Sequence, residues 1–371
     1  MNNLMERIRA EDFVGDPAEA RSKLNEREFL IGLALPAQQG AWTFSKASSS
    51  TTWRWNYLAS LAQAADQGGL DYLFMGSQYF PPEGFAGRHR THSLEAVALA
   101  SAISSVTERI FLFPTLSALG ECSPVYFARV LGTLDHISQG RAGVNVMPNL
   151  AVGDLGGALA EQKDLAQRYR VADEFLNILK MLWSSNDPVS YDGEFYQVYK
   201  AYISPHPVQR PFPLIMSADL APESADFLID HCQVRFVSPN STVGEECSPP
   251  GLRGVRATAL QYAICRRGRD EAEIVADRIR EGFDSETLAG HNQKFSREDC
   301  GPSLDSSLAL GGTVTFPPIV GTPTDVVDRL LTLKEQGLGG VHMSFVDYEE
   351  DLKYWVSDVM PLVREAGLLE D

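Results

Sequence analysis

The segment IFLFPTLSALGECSPVYFARVLGTLDHISQGRAGVNVMPN, Ile110 to Asn149, decides the fold. It begins and nearly ends with short apolar runs, IFLFPTL (Ile110 to Leu116) and AGVNVM (Ala142 to Met147). Continuous runs of this length are the pattern of parallel strands buried on both faces. Between them, Ser123-Pro124 supplies an N-cap and a proline at the first helical position, and Phe127, Val130, Leu131 and Leu134 fall on one helix face. The segment therefore reads as one strand, helix and strand crossover.

The same unit recurs on both sides. FLIGLAL (Phe29 to Leu35) and DYLFMG (Asp71 to Gly76) precede it. PLIMSA (Pro213 to Ala218), QVRFVS (Gln233 to Ser238), TALQYAIC (Thr258 to Cys265) and GVHMSFV (Gly340 to Val346) follow. The total is eight strands, the number that closes a (β/α)8 TIM barrel. Thr322-Pro323 repeats the capping device, Asp325 completes a capping-box pattern, and Val326, Leu330 and Leu333 form a stripe that Gly337 ends. Two connections break the rhythm. Ser238 to Gly254 is rich in proline and glycine, which predicts a truncated sixth helix, and Gly282 to Pro318 is expected to be a long loop covering the active site. Residues 1–28 are dense in charge and read as a tail or an arm packed on a neighbour, with disorder the plainer alternative, leaving 29–371 as a single barrel domain with insertions.

A formal net charge of -17 over 371 residues repels nucleic acid and anionic lipid. No secretory signal opens the chain and no run approaches a membrane span, so a cytoplasmic protein without membrane or nucleic-acid partners is expected. The five cysteines are scattered, without a C-x-x-C pair, and read as reduced. Rossmann, P-loop, nucleophile-elbow and H-E-x-x-H motifs are missing, so a redox cofactor would have to sit in the barrel mouth.

Individual polar residues then stand out. Asn145 interrupts an apolar strand, and a buried amide is costly unless hydrogen-bonded, so it needs a partner, structural or functional. His342 poses the same question on the last strand, where a core histidine bonded to a backbone carbonyl is the expected answer. His89 and His92 have H-x-x-H spacing but no third ligand, and no metal is expected. His136, His206, His231 and His291 have no visible partner. Trp42, Phe44, Tyr79 and Phe80 suggest an apolar or ring-containing substrate.

Taken together, GRAGVNVMPN (Gly140 to Asn149), QRYRVADEFLNILKMLW (Gln167 to Trp183), YDGEFYQV (Tyr191 to Val198), PHPVQRPFPLI (Pro205 to Ile215) and VGTPTDVVDRLL (Val320 to Leu331) resemble the bacterial-luciferase-like flavin-dependent monooxygenases. The nearer likeness is to the alkanesulfonate, dimethylsulfone and pyrimidine monooxygenase branch. The resemblance implies that Asn145 contacts the flavin ring and that Arg168 and Tyr169 surround the phosphate end of FMN. It implies that Ser77 and Gln78 line the flavin, with Asp154 nearby, and that His92 and Thr115 join Asn145 as candidate catalytic residues. The family's Gly- and Ser-rich phosphate turn is replaced by SADLAPES (Ser217 to Ser224), leaving Ser217 or Ser224 as substitutes.

The implied activity is a two-component monooxygenase. Reduced FMN comes from a separate NAD(P)H:flavin reductase, O2 is co-substrate, and a small organic molecule is oxygenated by a homodimer or homotetramer. The alternatives are a deazaflavin-dependent oxidoreductase of the same superfamily and a catalytically silent flavin-binding homologue. A barrel hydrolase would need paired carboxylates at strand ends, for which Asp219 and Asp347 are the best available.

Overall fold

The computed structural model describes residues 24–40, 42–47, 51–76, 92–116, 123–148, 164–218, 224–237, 252, 254–294, 306–310 and 316–369. Among them, the first half of the barrel runs β1 (Leu30–Leu35), α1 (Trp55–Gly68), β2 (Tyr72–Met75), α2 (Ala96–Ser104), β3 (Phe111–Leu116), α3 (Pro124–Ile137), β4 (Gly143–Val146) and α4 (Leu165–Ser184). An antiparallel hairpin follows, β5 (Val189–Asp192) with β6 (Gln197–Ala201). The second half comprises β7 (Leu214–Ser217), α5 (Ala225–His231), β8 (Val234–Phe236), β9 (Arg256–Cys265), α6 (Arg269–Glu281), α7 (Ser285–Lys294), β10 (Phe316–Gly321), α8 (Pro323–Glu335), β11 (Gly340–Ser344), α9 (Tyr348–Tyr354) and α10 (Met360–Glu365).

Strands β1, β2, β3, β4, β7, β8, β9 and β11 pair in parallel and close on themselves, because β11 pairs back to β1. These are the eight strands expected from the apolar runs. The local signals behave as their chemistry dictates. Ser123 Oγ accepts from Tyr126 N at 3.2 Å at the start of α3, and the Thr322 and Asp325 capping box opens α8. Gly337 takes a left-handed φ of 91° after α8, a conformation open to glycine without a Cβ penalty.

Side chains alternate between two apolar layers. The barrel interior holds Leu30, Tyr72, Phe74, Phe111, Phe113, Leu214, Met216, Phe236 and Leu260, while Ile31, Leu33, Leu73, Val144 and Ile215 pack outward against the helices. Aromatic rings need room, and glycines supply it. A Cβ on Gly32 would stand 2.4 Å from the Tyr72 ring, and one on Gly143 would stand 2.3 Å from the Phe113 ring. With its interior filled in this way, the barrel leaves ligand binding to the C-terminal mouth.

One expectation needs amendment, one lies largely outside the described residues, and one gains detail. The stretch from Gly282 to Pro318 is not simply a loop, since it contains α7, a 3-10 turn at Ser306–Ala309 and the start of β10. Strand β10 pairs along the upper part of β9, on the edge that β8 leaves after Thr258. The expected truncation of the sixth helix, Ser238 to Gly254, lies outside the described residues except for Leu252 and Gly254. Finally, residues 24–28 of the expected arm engage the lower end of this barrel. Leu24 joins the interior cluster, Arg256 donates to the Leu24 and Asn25 carbonyls at 3.2 and 3.0 Å, and Lys334 donates to Glu28 at 2.8 Å.

Arg27 also reaches Asp71 at 3.4 Å, and Asp71 accepts from Ile31 N at 2.7 Å. Burial outweighs these favourable contacts and pushes the Asp71 carboxyl up to about 6 from 3.8. A raised folded-state value means that the folded protein binds the extra proton, so this group's contribution to stability falls as pH rises between those values. Asp71→Asn keeps an acceptor for Ile31 N and removes the titration. Its stability relative to wild type is expected to improve by about 2 kcal/mol between pH 4.5 and pH 7, measured by urea unfolding. An unchanged difference across that range would contradict the assignment.

Candidate functional site

Asn145 lies near the C-terminal end of β4, fully buried. Its Nδ2 donates to Thr115 Oγ1 at 3.0 Å, and its Oδ1 accepts from Ala218 N at 2.9 Å. One amide thus joins the ends of β3, β4 and β7. Two of its four hydrogen-bonding capacities are used, leaving one N–H and one oxygen lone pair. Thr115 and Asn145 are register partners, so the structure brings these two predicted residues together.

Ser217 is placed differently. Its Oγ donates to Val146 O at 2.9 Å, and it follows Met216, an interior residue, so alternation turns it toward the helix layer. Ser224 is buried immediately before α5 and makes no side-chain capping bond there.

The start of α4 is fixed by Asp164, whose side chain accepts from Gln167 N at 2.7 Å. Arg168 and Tyr169 follow in the first turns, the former half-buried and the latter buried. The Tyr169 ring packs 5.9 Å from that of Phe227 on α5. The Tyr169–Phe227 contact thus brings the start of α4, which carries Arg168 and Tyr169, beside the start of α5, which Ser224 precedes. Asp226, in the first turn of α5, adds a negative charge to the same neighbourhood.

Another sector of the barrel holds His92. It is exposed and stacks on Trp53 with centroids 4.7 Å apart and planes 5° from parallel, and its carbonyl accepts from Gln39 N at 3.0 Å. Its partner Trp53 carried no sequence signal, because stacking unites separate connections. The loop after β1 is clasped by the long insertion: Thr43 bridges to Leu310 and Ser45 to Phe283, while Thr43 Oγ1 contacts the Tyr262 hydroxyl. Tyr262 in turn donates to Phe345 O at 2.7 Å. Phe44 is fully buried, so it packs the fold, whereas Trp42 is half-buried and touches three apolar clusters.

His342 is an interior residue, as expected, but its partner is a phenol and not a backbone carbonyl. Its Nδ1 lies 2.9 Å from the Tyr72 hydroxyl, its ring stacks 3.9 Å from Phe236, and its Nε2 has no hydrogen-bond partner. Burial pushes its pKa down to about 3, so it is neutral throughout the ordinary range. His136 and His231, without visible partners in the sequence, have them in space: His136 Nε2 bonds the His206 carbonyl at 2.8 Å, and His231 contacts Asp173 and Lys180.

Ser77, Gln78, Tyr79, Phe80, His89, Asp154 and Asp219 lie outside the described residues. Asp347 caps α9 by position, and its backbone N–H donates to Asp351. Among the described residues no group of three or more histidine, cysteine or acidic side chains is arranged to hold a metal. No helix among them is long and apolar enough to cross a membrane.

Comparison with known proteins places this architecture. The family model described as luciferase-like monooxygenase matches residues 30–339. The chain is 25% identical to an FMNH(2)-dependent dimethylsulfone monooxygenase of Pseudomonas putida, covering 89% of this chain and 94% of that one. It is 23% identical to the pyrimidine monooxygenase RutA of Allorhizobium ampelinum, over 91% and 96%. The solved long-chain alkane monooxygenase LadA superposes with a TM-score of 0.81 at 19% identity, covering 93% of each chain. With the family match spanning most of the chain and the parallel barrel in place, the chain belongs to the luciferase-like monooxygenase family.

Proposed function

We propose that this chain is a two-component monooxygenase that takes reduced FMN from a separate NAD(P)H:flavin reductase and uses O2 to oxygenate a small organic substrate. The observation that carries the site assignment is Asn145, a fully buried amide that joins three strand ends at the barrel mouth and keeps one donor and one acceptor position beyond its two internal bonds. The donor set fits a flavin with a terminal phosphate. Asn145 and Thr115 would meet the ring, with Ser77, Gln78 and Asp154 as further candidates, while Arg168, Tyr169 and Ser224 would meet the phosphate. Ser217, already donating to Val146 O, is the weaker candidate.

Reduced FMN would supply the electrons that activate O2 for transfer of one oxygen atom. The chain's own part is to orient and to exclude water. The filled barrel interior closes the floor, and the clasp between residues 42–47 and the insertion stands over one side. His92, exposed and stacked on Trp53, would meet the substrate in this reading. Half-buried Trp42 supports an apolar or ring-containing substrate. A single unit from residue 29 onward, with 1–28 as an appended arm, and assembly as a homodimer or homotetramer in the cytoplasm belong to the same proposal.

The test is anaerobic titration with reduced FMN, then admission of 18O2 with a panel of sulfones, alkanes and nitrogen heterocycles. One 18O atom in a product is the expected result. No binding at high micromolar flavin would sink the proposal, and binding of deazaflavin alone would favour the dehydrogenase alternative. Arg168→Ala is expected to weaken reduced FMN binding about tenfold while leaving riboflavin, which lacks the phosphate, within about twofold. Equal losses for both ligands would remove Arg168 from the phosphate site.

A further inference from the structure

Two stripes of side chains run beside each other where α4 meets α5. On α4 they are Tyr169, Asp173, Asn177 and Lys180, whose three- and four-residue spacings put them on one face. On α5 they are Phe227 and His231, four residues apart, with ring centroids 5.2 Å from each other. The stripes meet rung by rung. Tyr169 packs 5.9 Å from Phe227. His231 Nε2 donates to Asp173 Oδ1 at 2.7 Å, and Asn177 donates to the other Asp173 oxygen at 3.0 Å. Lys180 Nζ donates to His231 Nδ1 and to the Asp230 carbonyl, both at 2.8 Å.

An imidazole held between an acceptor and an ammonium donor must be neutral, with its proton on Nε2. Helix α5 has only 7 residues, too few to be stable by itself, so its position depends on what it is tied to. Apolar contacts at Phe227 and Leu228 are non-directional, whereas the two imidazole bonds specify a register.

We propose that His231 is a positioning residue for the phosphate end of the flavin site: it locks α5 in register on α4 and thereby, through Phe227, holds Tyr169 in place. The proposal rests on the assignment of Arg168 and Tyr169 to the phosphate. It carries a pH dependence. Protonation would place an N–H on Nδ1 against the Lys180 ammonium, two donors with no acceptor between them. Burial holds the His231 pKa below its ordinary 6.5; the Asp173 bond opposes that shift, Lys180 adds to it, and Asp230 opposes it. Cys232 lies near Lys180, on the same side. A lowered folded-state value means that the lock is intact above 6.5 and is lost as pH falls through the folded-state value, which lies below 6.5.

The experiment is anaerobic fluorescence titration of the full chain with reduced FMN and reduced riboflavin from pH 5 to 8. His231→Leu is expected to weaken FMN about tenfold and riboflavin by less than about twofold. Lys180→Met retains the bond to Asp173 and removes the opposing donor, so FMN affinity should no longer fall toward acid. If FMN and riboflavin weaken together in His231→Leu, or Lys180→Met keeps the wild-type acid limb, the proposal fails. Should His231→Leu not fold, His231→Gln and Lys180→Met carry the same comparison. Arg168→Ala separates the two levels: if it does not distinguish FMN from riboflavin, the phosphate assignment has failed. If it does and the His231 and Lys180 variants do not, only the positioning role has failed.

Discussion

Asn145→Leu is expected to weaken reduced flavin binding about 100-fold, or about 2.7 kcal/mol, and to lower stability by about 2–4 kcal/mol. The side chain is fully buried and its two bonds go to different strands, Thr115 on β3 and Ala218 N beyond β7. Leucine fills similar space but offers no acceptor, so the Ala218 N–H is left in the protein without its partner and the Thr115 hydroxyl loses its donor. Both changes occur at the barrel mouth, where the ends of three strands must hold position. Thr115→Val removes one of the two bonds and should show a smaller loss, about tenfold in affinity. Flavin titration together with urea unfolding measures both terms. A leucine variant that bound flavin within twofold of wild type would remove Asn145 from the site, whatever its stability.

The largest stability loss outside the proposed flavin-site residues is expected for Arg266→Met, about 3–5 kcal/mol. Arg266 immediately follows β9 and pairs with Asp351, whose side chain is 1% exposed. Its guanidinium also donates to the Cys265 carbonyl at 2.7 Å and lies 5.2 Å over the Tyr354 ring. Asp351 in turn accepts from Val346 N and Asp347 N at 3.2 and 2.9 Å, shaping the turn that leaves β11. Methionine keeps most of the apolar stem but strands a buried carboxylate. Burial already pushes the Asp351 carboxyl up and Arg266 opposes that shift, so removing the cation raises it further. The raised group destabilises more as pH rises, so the deficit should be larger at pH 8 than at pH 5. Adding Asp351→Asn to the variant should recover part of the loss at pH 8. A deficit below about 1 kcal/mol, or one independent of pH, would contradict this account.

Much of the barrel was legible because its signals are local. A strand buried on both faces is a continuous apolar run whatever pairs with it, and the caps at Ser123 and Thr322 act within one helical turn. Strand β10 escaped notice because FPPIVG contains two prolines and because its place depends on β8 ending early along β9. Residues 24–28 read only as part of a charged arm without periodicity, yet Arg27 and Glu28 meet Asp71 and Lys334 from distant parts of the chain.

The candidate site divides along the same line. The sequence by itself determined the barrel and marked Asn145 as a polar residue in need of a partner, while its likeness to known monooxygenases singled out Arg168 and Tyr169. Only the tertiary structure decided that Asn145 bonds Thr115 and Ala218, that Ser217 turns outward, that His342 meets Tyr72, and that His231 ties α5 to α4. The physical reason is that periodicity and capping are properties of neighbouring residues, whereas the partner of a buried polar atom is chosen when barrel closure brings remote strands and helices within hydrogen-bonding distance.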